Sequence, residues 1–378
     1  MKEVIVDKGL VVEIVDSPIP EPAADEVLIK IAVTGTNPKD WKRPENDGWR
    51  GNQGDDMAGV VAKVGSDVFE FRPGDRVAAF HALMTPHGSY AEYGIAPQHM
   101  TFHLPAGVSF EEAATIPLAT VTSVFALYKD LQLPQPWQPR RDDDPPLPLV
   151  IYGASTAIGA FAVQLARRSN IHPIVGIAGA SKNLVLDLLG DGVEKYGDAV
   201  VDYRGASEAD LVAAVRQAVD TAVATKHYPG YKNDRDGRPA EPLLITRAYD
   251  PMSYEGGYIT LAKILQGPDA RLATVAPRFA YKELEGRAEP LHLGKTFAGL
   301  AFGDDAADRD LAYVYLRYVA RGLHEGWFRG HPHEVVPGGL NGIKKALEDL
   351  KAGKAHGVKY VLRIADTEGL SEQALGEM

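Results

Sequence analysis

Apolar side chains recur at every second position at Val4 and Val6 and then at Val12 and Ile14, and the same period of two returns at Val27, Ile29, Ile31 and Val33. A period of two places one set of side chains on a buried face and predicts strands. Short β-branched runs over 57–64 and 76–80 are separated by turn chemistry such as Arg72-Pro73-Gly74-Asp75, so the first part of the chain reads as a β-rich domain. The texture changes at Ser109, where a hydroxyl precedes Glu112 by three residues, the pattern of a capping box. A helix is expected from there to about residue 115 and another over 120–129. From Leu149 the order is an apolar strand, a glycine turn, an amphipathic helix and a second apolar strand, which is a βαβ unit. Further strands over 200–203, 243–249 and 272–275 alternate with helical patterns over 209–222 and 257–265. That alternation predicts a doubly wound parallel sheet. Beyond 277 come helical segments over 308–322 and 340–351 and a strand over 359–364. A six-stranded dinucleotide fold has no place for them, so they are expected to return to the first domain. Residues 134–148 carry six prolines and read as a stiff surface excursion; 227–242 read as a polar solvent loop.

A length of 378 residues fits two domains, and 45% hydrophobic with 24% charged residues describes a folded globular chain. Lys and Arg number 40 against 51 Asp and Glu, a net charge of −11 that repels phosphodiester backbones and anionic lipid, so no nucleic-acid or membrane partner is expected. There is no cysteine, which removes disulfides, thiolate nucleophiles and Cys-ligated zinc. No apolar stretch is read as approaching the ~20 residues of a membrane span, and the N-terminus alternates where a secretory leader would be basic and then apolar. The expectation is a soluble, untargeted, cytoplasmic protein.

The glycine loop runs Gly153-Ala154-Ser155-Thr156-Ala157-Ile158-Gly159. Glycines in a dinucleotide fingerprint let the backbone approach a pyrophosphate that sits on a helix N-terminus. Here two fingerprint glycines are replaced by Ala154 and Thr156, and the Ser155 and Thr156 hydroxyls are candidates to bond phosphate in their place. The context of strand before and helix after is the one the motif requires. At the end of the second strand, where an NAD-preferring site carries an acid for the ribose 2′-hydroxyl, this chain has Ala180, Ser181, Lys182 and Asn183. A hydroxyl and an ammonium there favour a 2′-phosphate, hence NADPH.

Five ordered stretches complete the pattern: 34–42 (TGTNPKDWK), 54–65 (GDDMAGVVAKVG), 72–80 (RPGDRVAAF), 88–93 (GSYAEY) and 104–123 (LPAGVSFEEAATIPLATVTS). In that order, followed by a βαβ unit, the chain resembles the medium-chain dehydrogenase/reductase superfamily over nearly its whole length. The resemblance implies a GroES-like β-rich catalytic domain from residues 1–123 and 290–378, a Rossmann domain from 124–289, and an active site in the cleft. Zinc-dependent members carry a Cys and a His-Glu pair where this chain has Asn37, Asp55 and Asp56, so no metal is expected. Without a Lewis acid for an alkoxide, reduction of an activated C=C remains, because it needs hydride and a hydrogen-bond donor for the enolate oxygen.

Among zinc-independent members, the proline-rich insert and the GASTAIG loop most resemble fungal trans-acting enoyl reductases that serve polyketide synthases. That likeness implies an NADPH-dependent reductase of an α,β-unsaturated thioester or ketone, with Lys42 and Thr122 as catalytic candidates. It implies cofactor contacts from Lys39, Asp40, Trp41 and Lys42, from Ser155, Thr156, Ala157 and Ile158 at the pyrophosphate, and from Ala180, Ser181, Lys182 and Asn183 at the 2′-phosphate. Tyr203 falls near the adenosine phosphate, and His356 and Gly357 near the nicotinamide half. Substrate would run along Pro117, Leu118, Ala119, Thr120, Val121, Thr122, Ser123 and Val124. The alternatives are a quinone or carbonyl reductase, or a non-catalytic NADPH-binding partner of a megasynthase. Its partners would be a small or carrier-bound enoyl substrate and a polyketide synthase, with a monomer expected. Residues 181–196 are longer than the resemblance predicts, and 247–257 lack its acidic-cysteine sequence.

Overall fold

A computed structural model describes residues 1–226, 228, 243–253, 256–275, 281–287 and 289–370. The loop expected over 227–242 lies, apart from Tyr228, outside the described residues. The chain forms two compact units, Met1–Val121 with Gly299–Met378, and Thr122–Ala298.

The first unit is built on the strand Glu26–Gly35, whose alternating Val27, Ile29 and Ile31 are buried. It pairs antiparallel with Asp56–Val64, Tyr93–Pro97 and Lys359–Arg363. The sheet continues through Arg76–Phe80 to Thr101–His103, and on the other side from Lys359–Arg363 to His333–Val335. The hairpin Lys2–Asp7 with Val11–Asp16 forms a separate two-stranded sheet. Val4, Val6, Ile29, Met57, Leu340, Ile343, Leu347 and Leu362 share one core, so the last helix, Ile343–Lys351, packs on the same apolar side as the first strand. The terminal strand thus joins the N-terminal sheet, as its place in the sequence required.

The second unit is an all-parallel sheet of six strands. Their spatial order is Ala199–Asp202, Ile174–Ala178, Leu149–Tyr152, Arg247–Asp250, Arg271–Thr274 and His292–Lys295. The order runs third, second, first, fourth, fifth, sixth, so the sheet reverses direction beside Leu149–Tyr152. In such sheets ligands bind outside the carboxyl ends of the strands at that reversal. The helices Glu208–Thr225 and Gly257–Ile264 bury Leu211, Val215, Leu261 and Ile264 against Val150, Val175 and Leu272.

Ser109 caps the helix Phe110–Ala113 by accepting a hydrogen bond from the Glu112 amide. That helix stops earlier than the sequence suggests, because Pro117 opens the next one, Pro117–Val124, at a first-turn position that needs no amide hydrogen. The helical run Phe110–Asp130 does have the length and composition of a membrane span, contrary to the reading of the sequence. Its apolar window is 83% buried within the protein, the behaviour of a core helix. Residues 134–148 follow an irregular path held by main-chain bonds from Arg140 to Ser169 and from Leu147 to His172.

Candidate active site

In the second unit the first strand ends at Tyr152, and Gly153 turns the chain with φ +83°, a conformation costly for any side chain. Thr156 then caps the helix Ala157–Arg168: its Oγ1 accepts from the Gly159 amide at 3.0 Å and donates to the Gly153 carbonyl at 2.9 Å. The Thr156 hydroxyl hydrogen is therefore directed into the loop. An α-helix leaves its first-turn amides without intrahelical partners, and Ser155 just ahead of them is half-buried. Gly159 is a packing requirement, since a Cβ there would lie 2.3 Å from the Gly153 oxygen. Ser123 Oγ donates to the Ile158 carbonyl at 2.8 Å, which joins the end of the Pro117–Val124 helix to this loop.

One strand over, Gly179 lies against the Tyr203 ring, where a Cβ would approach Cε1 to 2.9 Å. Tyr203 stacks on Tyr152 with ring centroids 6.2 Å apart. Beside them Asp202 pairs with Arg204 at 2.6 Å and with Lys182 at 3.9 Å. The hydrogen bonds from Arg204 hold the Asp202 carboxyl well below its usual range. An aromatic platform, two exposed cations and a helix N-terminus fit the adenosine and pyrophosphate half of a nicotinamide dinucleotide. Asp250, at the carboxyl end of the neighbouring strand, is fully buried and accepts from the Met252 and Ser253 amides. Burial raises its carboxyl to about 6, against the pull of those two amides.

In the first unit the helix Lys39–Asp47 begins over a buried charge network. Lys39 Nζ turns inward to the Gln53 carbonyl, Asp40 and Asp55. Burial alone would depress this ammonium, but the Asp40 and Asp55 carboxylates outweigh it and hold its pKa above the ordinary value. Asp40 Oδ2 accepts from the Asn37 amide at 2.7 Å and from the Tyr90 hydroxyl at 2.6 Å. Burial raises the Asp40 carboxyl, and Lys39 and Tyr90 offset only part of that rise. Asp55 is also buried, yet Lys39 and His81 together draw its pKa down. His81 spans Asp55 at 3.2 Å and the Pro86 carbonyl at 2.9 Å.

Asp56 is bound differently. Its Oδ2 accepts from Asn37 Nδ2 at 2.6 Å and from Lys359 Nζ at 2.5 Å, and its Oδ1 from the Leu118 amide at 2.7 Å. Lys42 is half-buried, with its ammonium 5.5 Å from the Trp41 ring centroid, and burial lowers its pKa. The Trp41 ring also receives the Lys351 ammonium at 5.4 Å. Thr122 is buried, and His356 and Gly357 lie in the bend just before the strand Lys359–Arg363.

The structure thus gathers Lys39, Asp40, Asp55, Asn37, Asp56 and Leu118 into one network of the first unit. In the second it places Ser155, Thr156, Ile158 and Ser123 together, and Lys182 beside Tyr203. The sequence reading missed Lys359 and Arg204. Nothing local in the sequence marked Lys359 as inward-facing, and the charge pair Asp202–Arg204 flanking Tyr203 was the available sign of the second. Among the described residues no group of three His, Asp or Glu side chains is arranged to hold a metal.

Comparison with known proteins agrees with this geometry. The alcohol dehydrogenase GroES-like domain family matches residues 23–106. Trans-enoyl reductase fsr4 of Gibberella fujikuroi is 41% identical over 344 residues, covering 90% of this chain and 92% of that protein. Trans-enoyl reductase RAP2 of Pyricularia oryzae is 27% identical, covering 92% and 94%. Among solved structures, the CurK enoyl reductase superimposes with a TM-score of 0.71 at 18% identity over 96% of this chain and 98% of its own. A mycobacterial protein solved with NADPH gives 0.67 at 20% identity, covering 96% and 99%. The fold and site define a zinc-independent medium-chain dehydrogenase/reductase, an oxidoreductase of the kind that uses a nicotinamide cofactor. Within that superfamily the chain belongs to the fungal trans-enoyl reductases.

Proposed function

We propose that this protein reduces the α,β double bond of an enoyl thioester with NADPH, acting in trans for a polyketide synthase. The observation that carries the reading is the state of the two adjacent acids: Lys39 pairs with Asp55 and Lys359 with Asp56, so both carboxylates are neutralised from within the protein. Stabilisation of a developing enolate oxygen then falls to a hydrogen-bond donor. Lys42 supplies one, with an ammonium made a better acid by burial.

Bound NADPH would supply the hydride. As the β-carbon of the substrate gains it, the π pair moves onto the thioester oxygen. Lys42 donates a hydrogen bond to that oxygen, and a proton then reaches the α-carbon from Lys42 or from a water it orients. Thr122, buried on its helix, is the second candidate donor. The first-turn amides of Ala157–Arg168 and Ser155 hold the pyrophosphate, while Ser181, Lys182 and Arg204 receive the 2′-phosphate. In this reading Lys39 acts through its inward ion pairs, which fix the start of the Lys42 helix.

The test is cofactor oxidation by the purified protein with an enoyl thioester, and separately with a quinone, each with NADPH and with NADH. Thioester turnover selective for NADPH is expected. Turnover of the quinone alone would replace this reading with a quinone reductase. Tight NADPH binding without any turnover would leave a non-catalytic partner of the synthase.

A further inference from the structure

We infer that Lys359 is a positioning residue whose ammonium, acting through Asp56, sets the geometry of the reaction centre; the inference rests on the reaction assigned above. Lys359 is 5% exposed and Asp56 is fully buried. The Lys359 ammonium has three donors and three acceptors: Asp56 at 2.5 Å, Asn37 Oδ1 at 3.2 Å and the Thr115 carbonyl at 3.3 Å. Its hydrogens are all spent inside the protein, which makes it a fixed point and not a proton source.

Three segments that the sequence nominated for the site meet on this pair. Asn37 precedes the helix of Lys42, and its side chain is gripped by Asp56 and Lys359 from opposite ends of the amide. Leu118 is in the first turn of the Pro117–Val124 helix, one turn before Thr122, and its amide is bonded to Asp56. Lys359 itself opens the last strand two residues after Gly357. Next to it, Thr36 bonds the Tyr360 carbonyl through both its amide and its hydroxyl, each at 3.0 Å.

A carboxylate at a helix N-terminus is favoured by the helix dipole, but a fully buried one needs a cation as well. Well-packed apolar residues fill such a site at least as stably as an ion pair does. What apolar residues do not supply is direction. Four directional bonds meet on Asp56 and Lys359 from Asn37, Thr115 and Leu118, and they fix where the segments carrying Lys42 and Thr122 begin.

The experiment compares wild type, Lys359→Met and the double variant Lys359→Met/Asp56→Leu. It reads kcat and KM with NADPH and an enoyl thioester, thermal midpoint, and amide hydrogen exchange over residues 36–42 and 117–121. The single variant leaves a buried carboxylate without its cation and is expected to lose midpoint and kcat together. The double variant carries no unpaired charge and is expected to recover the midpoint. Its kcat stays lower by about 100-fold, the scale of a misplacement near 1 Å, while KM for NADPH changes little. Faster exchange at Leu118 and at the start of the Lys42 helix accompanies that loss. Recovery of kcat along with the midpoint would overturn the inference and leave Lys359 a stability residue. If wild type turns over no enoyl thioester, the assigned reaction fails. Hydrogen exchange in the double variant then decides this inference separately, with faster exchange at the two segments supporting it and unchanged exchange overturning it.

Discussion

The Asp202 carboxylate holds the Arg204 guanidinium at 2.6 Å while also lying 3.9 Å from the Lys182 ammonium. The two cations that would recognise a 2′-phosphate are thus gathered by an acid that competes with it. All three side chains are at least partly open to water, so exchanging Asp202 for a phosphate needs no rearrangement of the core.

Two opposite substitutions separate these roles. Lys182→Ala is expected to weaken NADPH binding by about tenfold, the worth of one charge-assisted contact, with NADH binding unchanged. Asp202→Asn releases both cations and is expected to tighten NADPH binding several-fold, again with no effect on NADH. Fluorescence titration with each nucleotide checks both. Equal changes for NADPH and NADH would remove Lys182 and Arg204 from the 2′-phosphate site.

The strand-turn-helix around Gly153 was legible in the sequence because each part depends on residues next to one another. Apolar 149–152 make a buried strand, Thr156 is a cap residue, and the helix follows with its basic last turn. The Lys359 and Asp56 pair was not legible in that way. Its members stand 303 residues apart, and neither has a local signature: a lysine opening a strand reads as solvated, and Asp55-Asp56 after a glycine reads as a turn. Only the antiparallel pairing of Lys359–Arg363 with Glu26–Gly35 and of that strand with Asp56–Val64 brings them together. The inward turn of Lys39 was hidden for the same reason. Its partner Asp55 lies just before a different strand, and it was the family resemblance that offered the lysine to the cofactor.

Gly159→Ala tests whether the glycine loop is set by backbone contact. The added Cβ would meet the Gly153 oxygen at 2.3 Å and the Ala154 Cα at 2.8 Å, both main-chain atoms that cannot swing aside. The Gly153 turn must open, which moves the helix N-terminus away from the pyrophosphate. The expected result is loss of nucleotide binding by at least about tenfold together with a destabilisation on the order of 2 kcal/mol, read by titration and by denaturant melts. Wild-type affinity in this variant would show that the loop is not the pyrophosphate site.

Lys42 carries its own pH dependence. Burial lowers its ammonium below the ordinary value of 10.5, so the protonated form that donates to the enolate oxygen is lost as pH rises through that lowered pKa. The kcat profile is expected to fall on the alkaline side earlier than an exposed lysine allows. Lys42→Arg should push that limb upward, because a guanidinium keeps its proton, and Lys42→Met should abolish the limb and reduce kcat by about 100-fold. An unchanged alkaline limb in Lys42→Met would transfer the role to another donor, of which Thr122 is the first to examine.

Asp250 predicts a stability change that is independent of catalysis. Its folded-state pKa is raised from 3.8 to about 6, chiefly by burial. Between those values the folded chain therefore holds a proton that the unfolded chain has released. Stability falls as pH rises through this window and remains lower above it, because the ionised carboxylate is then buried with only two amides to satisfy it. Asp250→Asn keeps an oxygen for the Met252 and Ser253 amides and cannot ionise. It is expected to match wild type near pH 4 and to exceed it at pH 8 by on the order of 3 kcal/mol, the free energy that the raised carboxyl pKa withdraws from the folded state once both states are ionised. Thermal melts of the two proteins across that pH range measure the difference directly. A constant offset at all pH values would mean that folding leaves the Asp250 pKa where the unfolded chain has it, the two amides compensating its burial.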